Sequence, residues 1–82
     1  MVDVRFLRDG FENTLSHLIG ECGEVLAAAG KLQLFGPDSV NPLLPVEEQE
    51  TNIDWLMREI QDLKLVIDRF EIEAFMQQNG TH

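Results

Sequence analysis

Two acidic pairs with the same spacing are the residues of this chain best suited to chemistry. Glu21 and Glu24 form the first pair, and Glu59 and Asp62 form the second. Carboxylates three residues apart project from the same face of a helix, so two such pairs on facing helices bring four carboxylates to one point. Because like charges at that density repel, such an all-oxygen cluster suits a hard divalent cation such as Mg²⁺. If the helices face each other there, the sequence predicts a metal site.

Composition limits the classes of function. The chain has 82 residues, which we interpret as a single domain covering 1–82, and a net charge of −9 from 15 acidic and 6 basic residues. A field of that sign repels polyanions, so we expect no nucleic-acid partner. With Cys22 as the single cysteine, an intrachain disulfide and a cysteine-rich metal site are excluded. The sequence shows neither a signal peptide nor a segment of membrane-spanning length, so we expect a cytoplasmic protein without membrane contact.

Apolar residues recur at helical spacing in two stretches, which predict long helices at about residues 11–30 and 50–77. The stripe of the first helix consists of Phe11, Leu15, Leu18, Cys22, Val25 and Ala29, supplemented by Ile19 and Leu26. The stripe of the second consists of Ile53, Leu56, Ile60, Leu63, Ile67, Phe70 and Ala74. Gly30 is the expected end of the first helix, and Asn79-Gly80 that of the second. A proline-rich connector at residues 32–45 separates the two, and either Thr51 or Asn52 is a candidate cap of the second helix.

Two such helices predict an all-α fold, an antiparallel hairpin with one apolar side left open. Both stripes keep the seven-residue repeat that is typical of left-handed bundles. A hairpin alone would leave Phe70, Phe75 and Met76 poorly covered. We therefore expect homo-oligomerisation into a four-helix or larger bundle, as a homodimer or homotetramer.

The acidic pairs have two interpretations. On a helical wheel, Glu21 and Glu59 fall on the shoulders of the apolar stripes, where a carboxylate is partly desolvated and benefits from a cation. Alternatively, the pairs are solvated surface groups, and Arg58 pairs with Asp62 one turn later. Gly20 and Gly23 flank the first pair, and glycine inside a helix is costly. They predict that another helix or a ligand approaches the backbone there.

Two runs of sequence carry a family resemblance: NTLSHLIGECGEV at residues 13–25 and REIQDL at residues 58–63. Together they resemble the all-α nucleotide pyrophosphohydrolases, the MazG-like and dimeric dUTPase/dCTPase superfamily, over residues 11–70. The resemblance implies that Glu21, Glu24, Glu59 and Asp62 bind Mg²⁺, with Mn²⁺ as a possible substitute, and form the catalytic centre. It implies hydrolysis of a nucleoside triphosphate to the monophosphate and pyrophosphate. The compact chain and its connector resemble small phage-encoded or prophage-encoded members.

Four further residues are candidates for substrate binding, each with a simpler alternative. His17 lies one turn before Glu21 and is either a hydrogen-bond donor to it or a surface histidine. Lys31 either meets the phosphates or stabilises the negative end of its helix. Trp55, like Phe35, is able to stack on a base, but for Trp55 interface packing is the favoured interpretation. Asn13 is a candidate contact for the sugar or base.

A function from a different class also fits the sequence. Relatives usually add a further helix that helps to close the pocket, and here the connector is the candidate for part of that wall. The short length and the charge of −9 are also compatible with a non-catalytic, phage-derived helical protein that keeps the fold and uses its acidic surface to bind a host protein.

Overall fold

In the computed structural model the protein consists of two long helices joined by a connector. Helix α1 spans Val4–Phe35, a short 3₁₀ helix spans Val46–Glu48, and helix α2 spans Asn52–Asn79. The structure describes residues 4–79, with the side chains of residues 10–79. Within that part of the chain there are no strands, which confirms the all-α prediction.

The two helices pack against each other along an antiparallel hairpin. Near one end, the rings of Phe11 and Phe70 lie with their centroids 5.5 Å apart. At the other end, the side-chain amide of Asn52 donates to the backbone carbonyls of Gly36, at 3.0 Å, and Lys31, at 3.4 Å. The resulting molecule is a rod of 53 × 21 × 14 Å. Across residues 4–79, neither helix combines the length and the apolar character needed to cross a membrane.

Helix α1 is longer than predicted at both ends. It begins at Val4 and continues through Gly30 to Phe35, so the expected end at Gly30 is wrong. The end lies instead at Gly36, whose φ of +88° is in the left-handed region that favours glycine, and Pro37 follows. Proline disfavours the helical conformation in the residue before it, which explains why the helix ends at Gly36. This end lies more than one turn beyond the one that the apolar pattern predicted. The connector therefore covers residues 36–51 rather than 32–45.

The bounds of helix α2 are close to prediction. The Thr51 hydroxyl accepts the backbone N–H of Asp54 at 3.2 Å, so Thr51 is the cap that the sequence had left open between two residues. At the other end, the Asn79 side chain donates to the carbonyl of Phe75 at 2.9 Å. Gly80, the second residue of the predicted stop, lies outside the described residues.

The contact between the helices is rotated relative to the predicted apolar stripes. Positions at the contact repeat every seven residues: buried Thr14 and Ala28 on α1 with half-buried Glu21 between them, and buried Asn52, Glu59 and Val66 on α2. We call these six residues the seam. Small Thr14 and Ala28 let the helices approach closely, so larger apolar residues turn outward. The exposed members of the predicted stripes are Leu15, Ile19, Cys22, Leu26, Ile53 and Ile67.

The rotation corrects two predictions about individual side chains. Cys22, expected in the core, is exposed. Phe70, expected to lack cover, is half-buried against Phe11, whereas Phe75 and Met76 are exposed as predicted.

Candidate metal centre

The middle of the seam contains carboxylates rather than apolar side chains. Glu21 is the central seam residue of α1 and Glu59 that of α2, and the antiparallel arrangement places them opposite each other. One carboxylate oxygen from each of Glu21, Glu59 and Asp62 lies within 4.8 Å of the other two. We call these three residues, with Glu24, the carboxylate cluster. Three carboxylate oxygens this close together form a group that could hold a divalent cation.

Glu24 is the fourth carboxylate and lies at the exposed side of the cluster. A hydrogen bond shared with Glu59 raises the pKa of Glu24 above its ordinary value of 4.5, and the negative charges of Glu21, Glu59 and Asp62 raise it further. The carboxyl of Glu24 is thus close enough to interact with all three other acids. The structure brings three of the four predicted acids, Glu21, Glu59 and Asp62, within 4.8 Å of one another, and Glu24 interacts electrostatically with them.

Glu59 is held by two donors at one oxygen and left free at the other. Its Oε1 accepts the indole N–H of Trp55 at 3.2 Å and pairs with the Arg58 guanidinium at 3.1 Å. Its Oε2 is buried and receives no hydrogen bond from the described residues while Glu24 is ionised. The side chain is only 6% exposed, so water has little access to that oxygen. A buried carboxylate oxygen without a partner is costly, and a bound cation would remove the cost.

Glu21 repeats this arrangement on the facing helix. Its Oε1 lies 3.4 Å from Nε2 of His17, one turn earlier, while its Oε2 is buried and lacks a partner in the described part of the chain. In both glutamates a neighbour one turn away on the same helix fixes one oxygen. On both helices, the buried oxygen without a partner therefore belongs to the central residue of the seam, Glu21 on α1 and Glu59 on α2.

One further buried oxygen lacks a partner, and it lies elsewhere. This atom is Oε1 of Gln77, near the end of α2 and five turns beyond Glu59. The two orphaned carboxylate oxygens thus belong to residues of the carboxylate cluster, whereas the Gln77 oxygen does not.

The positions of the acids differ from the prediction in a way that bears on their role. Glu21 and Glu59 were expected on the shoulders of the apolar faces, and the rotation of the helices places them in the contact itself. The alternative of fully solvated carboxylates is wrong for Glu59, which is buried. Arg58, expected to pair with Asp62, instead pairs with Glu59 and, through two hydrogen bonds, with Glu50.

The other predicted substrate residues lie at different distances from the cluster. His17 and Trp55 contact its members directly. Lys31 lies near the end of α1, where its ammonium is 5.4 Å from the centroid of the Phe35 ring. Asn13 is exposed, more than two turns before Glu21.

Two features of the site differ from what the sequence predicted. Gly20 and Gly23 were expected to mark a close approach, but a Cβ atom at either would meet nothing within 4 Å. The close approach is at Gly10, where an added Cβ would lie 3.2 Å from the Glu73 carboxylate. The contact of Arg58 with Glu59 was not predicted either. The available signal was that the arginine directly precedes a glutamate of the second acidic pair.

Comparison with known proteins adds no further constraint. No protein family, curated protein or solved structure matches this chain.

Proposed function

We propose that this protein is a Mg²⁺-dependent nucleoside triphosphate pyrophosphohydrolase. The observation that carries the proposal is the pair of buried oxygens without a donor, Oε2 of Glu21 and Oε2 of Glu59, in two members of the carboxylate cluster. A cation there would satisfy both atoms and offset the repulsion among the acids. The choice of reaction rests on the sequence resemblance, and the cluster geometry is compatible with it.

The residues of the chain have separable roles in this proposal. Glu21, Glu59 and Asp62 would hold the cation, and Glu24 would complete the ligand set from the exposed side. Trp55, Arg58 and His17 act as positioning residues, because each contacts one oxygen of a ligand glutamate and so restricts its orientation.

The reaction consumes one water molecule for each nucleoside triphosphate. The water oxygen forms a bond to a phosphorus of the α–β linkage, the bridging P–O bond breaks, and the products are the monophosphate and pyrophosphate. Mg²⁺ in such a site supplies charge neutralisation at the phosphate oxygens and helps to activate the attacking water. A carboxylate of the cluster would accept the proton of that water.

We also propose that the protein acts as a homodimer or homotetramer. The apolar residues turned away from the seam include Ile19, 64% exposed, and Leu26, 74% exposed. Ala28 and Val66 are the only apolar residues that are buried among the described side chains. Two facing helices therefore leave many large apolar side chains exposed, and the seven-residue repeat of these residues suits packing against a second copy.

A panel of nucleoside triphosphates with Mg²⁺ tests the activity, with pyrophosphate release as the readout. The wild type should release pyrophosphate rather than orthophosphate, and Glu59→Gln should remove both this activity and the binding of Mg²⁺ measured by calorimetry. Glu71→Gln is the matched control, because Glu71 is exposed on the same helix more than three turns away. A wild type that binds Mg²⁺ but hydrolyses no nucleotide would instead favour the non-catalytic interaction protein.

A further inference from the structure

The connector folds into the wall of a pocket beside the carboxylate cluster. The pocket has a volume of about 740 Å³ and lies between residues 39–44 of the connector, the end of α1 and the first two turns of α2. This volume falls within the range of roughly 300–1,000 Å³ that is typical of sites for small molecules. Trp55 and Arg58 line the pocket and also contact Glu59. Hence the pocket and the cluster share a wall.

Specific hydrogen bonds hold the connector in this position. Asn52, 8% exposed, donates its side-chain amide to Gly36 and Lys31, and its backbone N–H to the carbonyl of Ser39 at 2.9 Å. The backbone N–H of Ile53 donates to the carbonyl of Pro37 at 3.1 Å. The first turn of α2 therefore fastens the connector to the end of α1, so the pocket wall is a built part of the fold.

The lining of the pocket combines an apolar surface with aromatic rings and cations. Leu43 and Leu44 of the connector face the pocket, as do the rings of Phe35 and Trp55. Its two cations are Lys31 and Arg58, and the Arg58 guanidinium is already paired with Glu50 and Glu59. The lining fits a planar, largely uncharged group, with Lys31 placed to meet an anion attached to it.

We propose that this pocket binds the nucleoside part of the substrate. The base packs against the apolar connector and the aromatic rings, and the phosphates extend past Trp55 toward the carboxylate cluster. The inference takes its class of ligand from the proposed function and its location from the pocket. In this arrangement the connector recognises the base, and the carboxylate cluster of the seam carries out the hydrolysis.

Trp55 provides a direct probe, because the chain has one tryptophan and no tyrosine. Nucleosides without phosphate, titrated in the absence of Mg²⁺, should change the emission of Trp55 in a saturable way for at least one base. Leu44→Ser should weaken that binding about tenfold, since it removes apolar contact from the pocket wall. Val46→Ser is the matched control, because Val46 belongs to the same connector, is 81% exposed and does not line the pocket. Circular dichroism would verify that both variants keep their helices.

The outcomes separate this inference from the proposed function. If pyrophosphate is released but no nucleoside changes the emission, the pocket assignment is overturned and the enzyme activity stands. Nucleoside binding that Leu44→Ser weakens supports the assignment even if no hydrolysis is found. Equal binding by Leu44→Ser and the wild type would overturn it.

Discussion

Near one end of the hairpin two phenyl rings fill the contact between the helices, whereas three turns along α1 the same contact contains carboxylates. Thr14, in the aromatic part, is buried but bonds the carbonyl of Gly10 at 2.8 Å. Asn52, at the opposite end of the seam, is buried and bonds two carbonyls. Between them, Glu21 and Glu59 each bury an oxygen with no partner in the described part of the chain.

This contrast shows where the hairpin departs from what stability alone would favour. The buried polar side chains at the ends of the seam donate hydrogen bonds to backbone carbonyls of the same chain, as is usual in folded proteins. An apolar pair at positions 21 and 59 would extend the packing seen at the ends and would leave no unsatisfied atoms. Buried polar atoms that the fold leaves unsatisfied are typical of functional sites, where a ligand supplies the missing interaction.

Removing a carboxylate from the middle of the seam should have the largest effect. Glu59→Ala should lower nucleotide hydrolysis by orders of magnitude, because it removes the cation ligand that two donors position. Steady-state assays at saturating Mg²⁺ would measure the loss, with Glu71→Ala as the exposed control on the same helix. An active Glu59→Ala variant would rule out the mechanism.

The outward apolar face should control assembly without disrupting the contact between α1 and α2. Leu26→Asp should shift the protein toward a monomer near 9.3 kDa in sedimentation experiments, because Leu26 is 74% exposed in the hairpin. Val46→Asp changes an equally exposed residue in the connector and should leave the oligomer intact. A wild type that already sediments near 9.3 kDa would contradict the assembly proposal.

Replacing a phenylalanine of the aromatic contact by a smaller residue should affect stability rather than catalysis. Phe70→Ala should lower the free energy of unfolding by about 2 kcal/mol, less than for a fully buried phenylalanine, because Phe70 is half-buried. Phe70→Leu should lose less, since it keeps most of the apolar volume. Denaturant unfolding would measure both variants, and their turnover per folded molecule should match that of the wild type. A selective loss of turnover would show that the two regions of the seam are not independent.

The sequence alone predicted the elements and the meeting of the acids, but not the rotation of the helices. Helix α2 was predicted to within two residues at each end, because Thr51 and Asn79 are strong signals of a cap and a stop. The rotation depends on which faces pack most closely. Thr14 and Ala28 lie in the contact because they are small and let the helices approach closely. A prediction based on apolar residues instead places Leu15 and Cys22 in the core.

The pocket was beyond prediction for a related reason. It depends on the end of α1 at Gly36 and on the hydrogen bonds of Asn52, a residue that the sequence suggested only as a cap. Contacts between segments distant in sequence have no local pattern, so Asn52 gave no signal of its tertiary role. The acidic pairs were detectable because their function depends on spacing within each helix.

The smallest effect we expect is a pH dependence specific to the cluster. Because Glu59 and the neighbouring charges raise the pKa of Glu24 above 4.5, the folded chain keeps a proton on Glu24 at pH values where the unfolded chain has lost it. The contribution of Glu24 to stability therefore declines as the pH rises from 4.5 through its raised pKa, and is constant above that. Thermal unfolding of the metal-free protein across this range should show the decline.

Two comparisons would connect this decline with the cluster. Glu24→Gln cannot ionise, so it should reduce the slope and raise the melting temperature at neutral pH, whereas Glu12→Gln, an exposed change on the same helix, should retain the slope of the wild type. Saturating Mg²⁺ should reverse the trend in the wild type, because a bound cation favours ionised ligands. If neither Mg²⁺ nor Glu24→Gln alters the profile, the carboxylates in the middle of the seam are not coupled and no cation binds among them. The contrast between the two regions would then reflect packing alone.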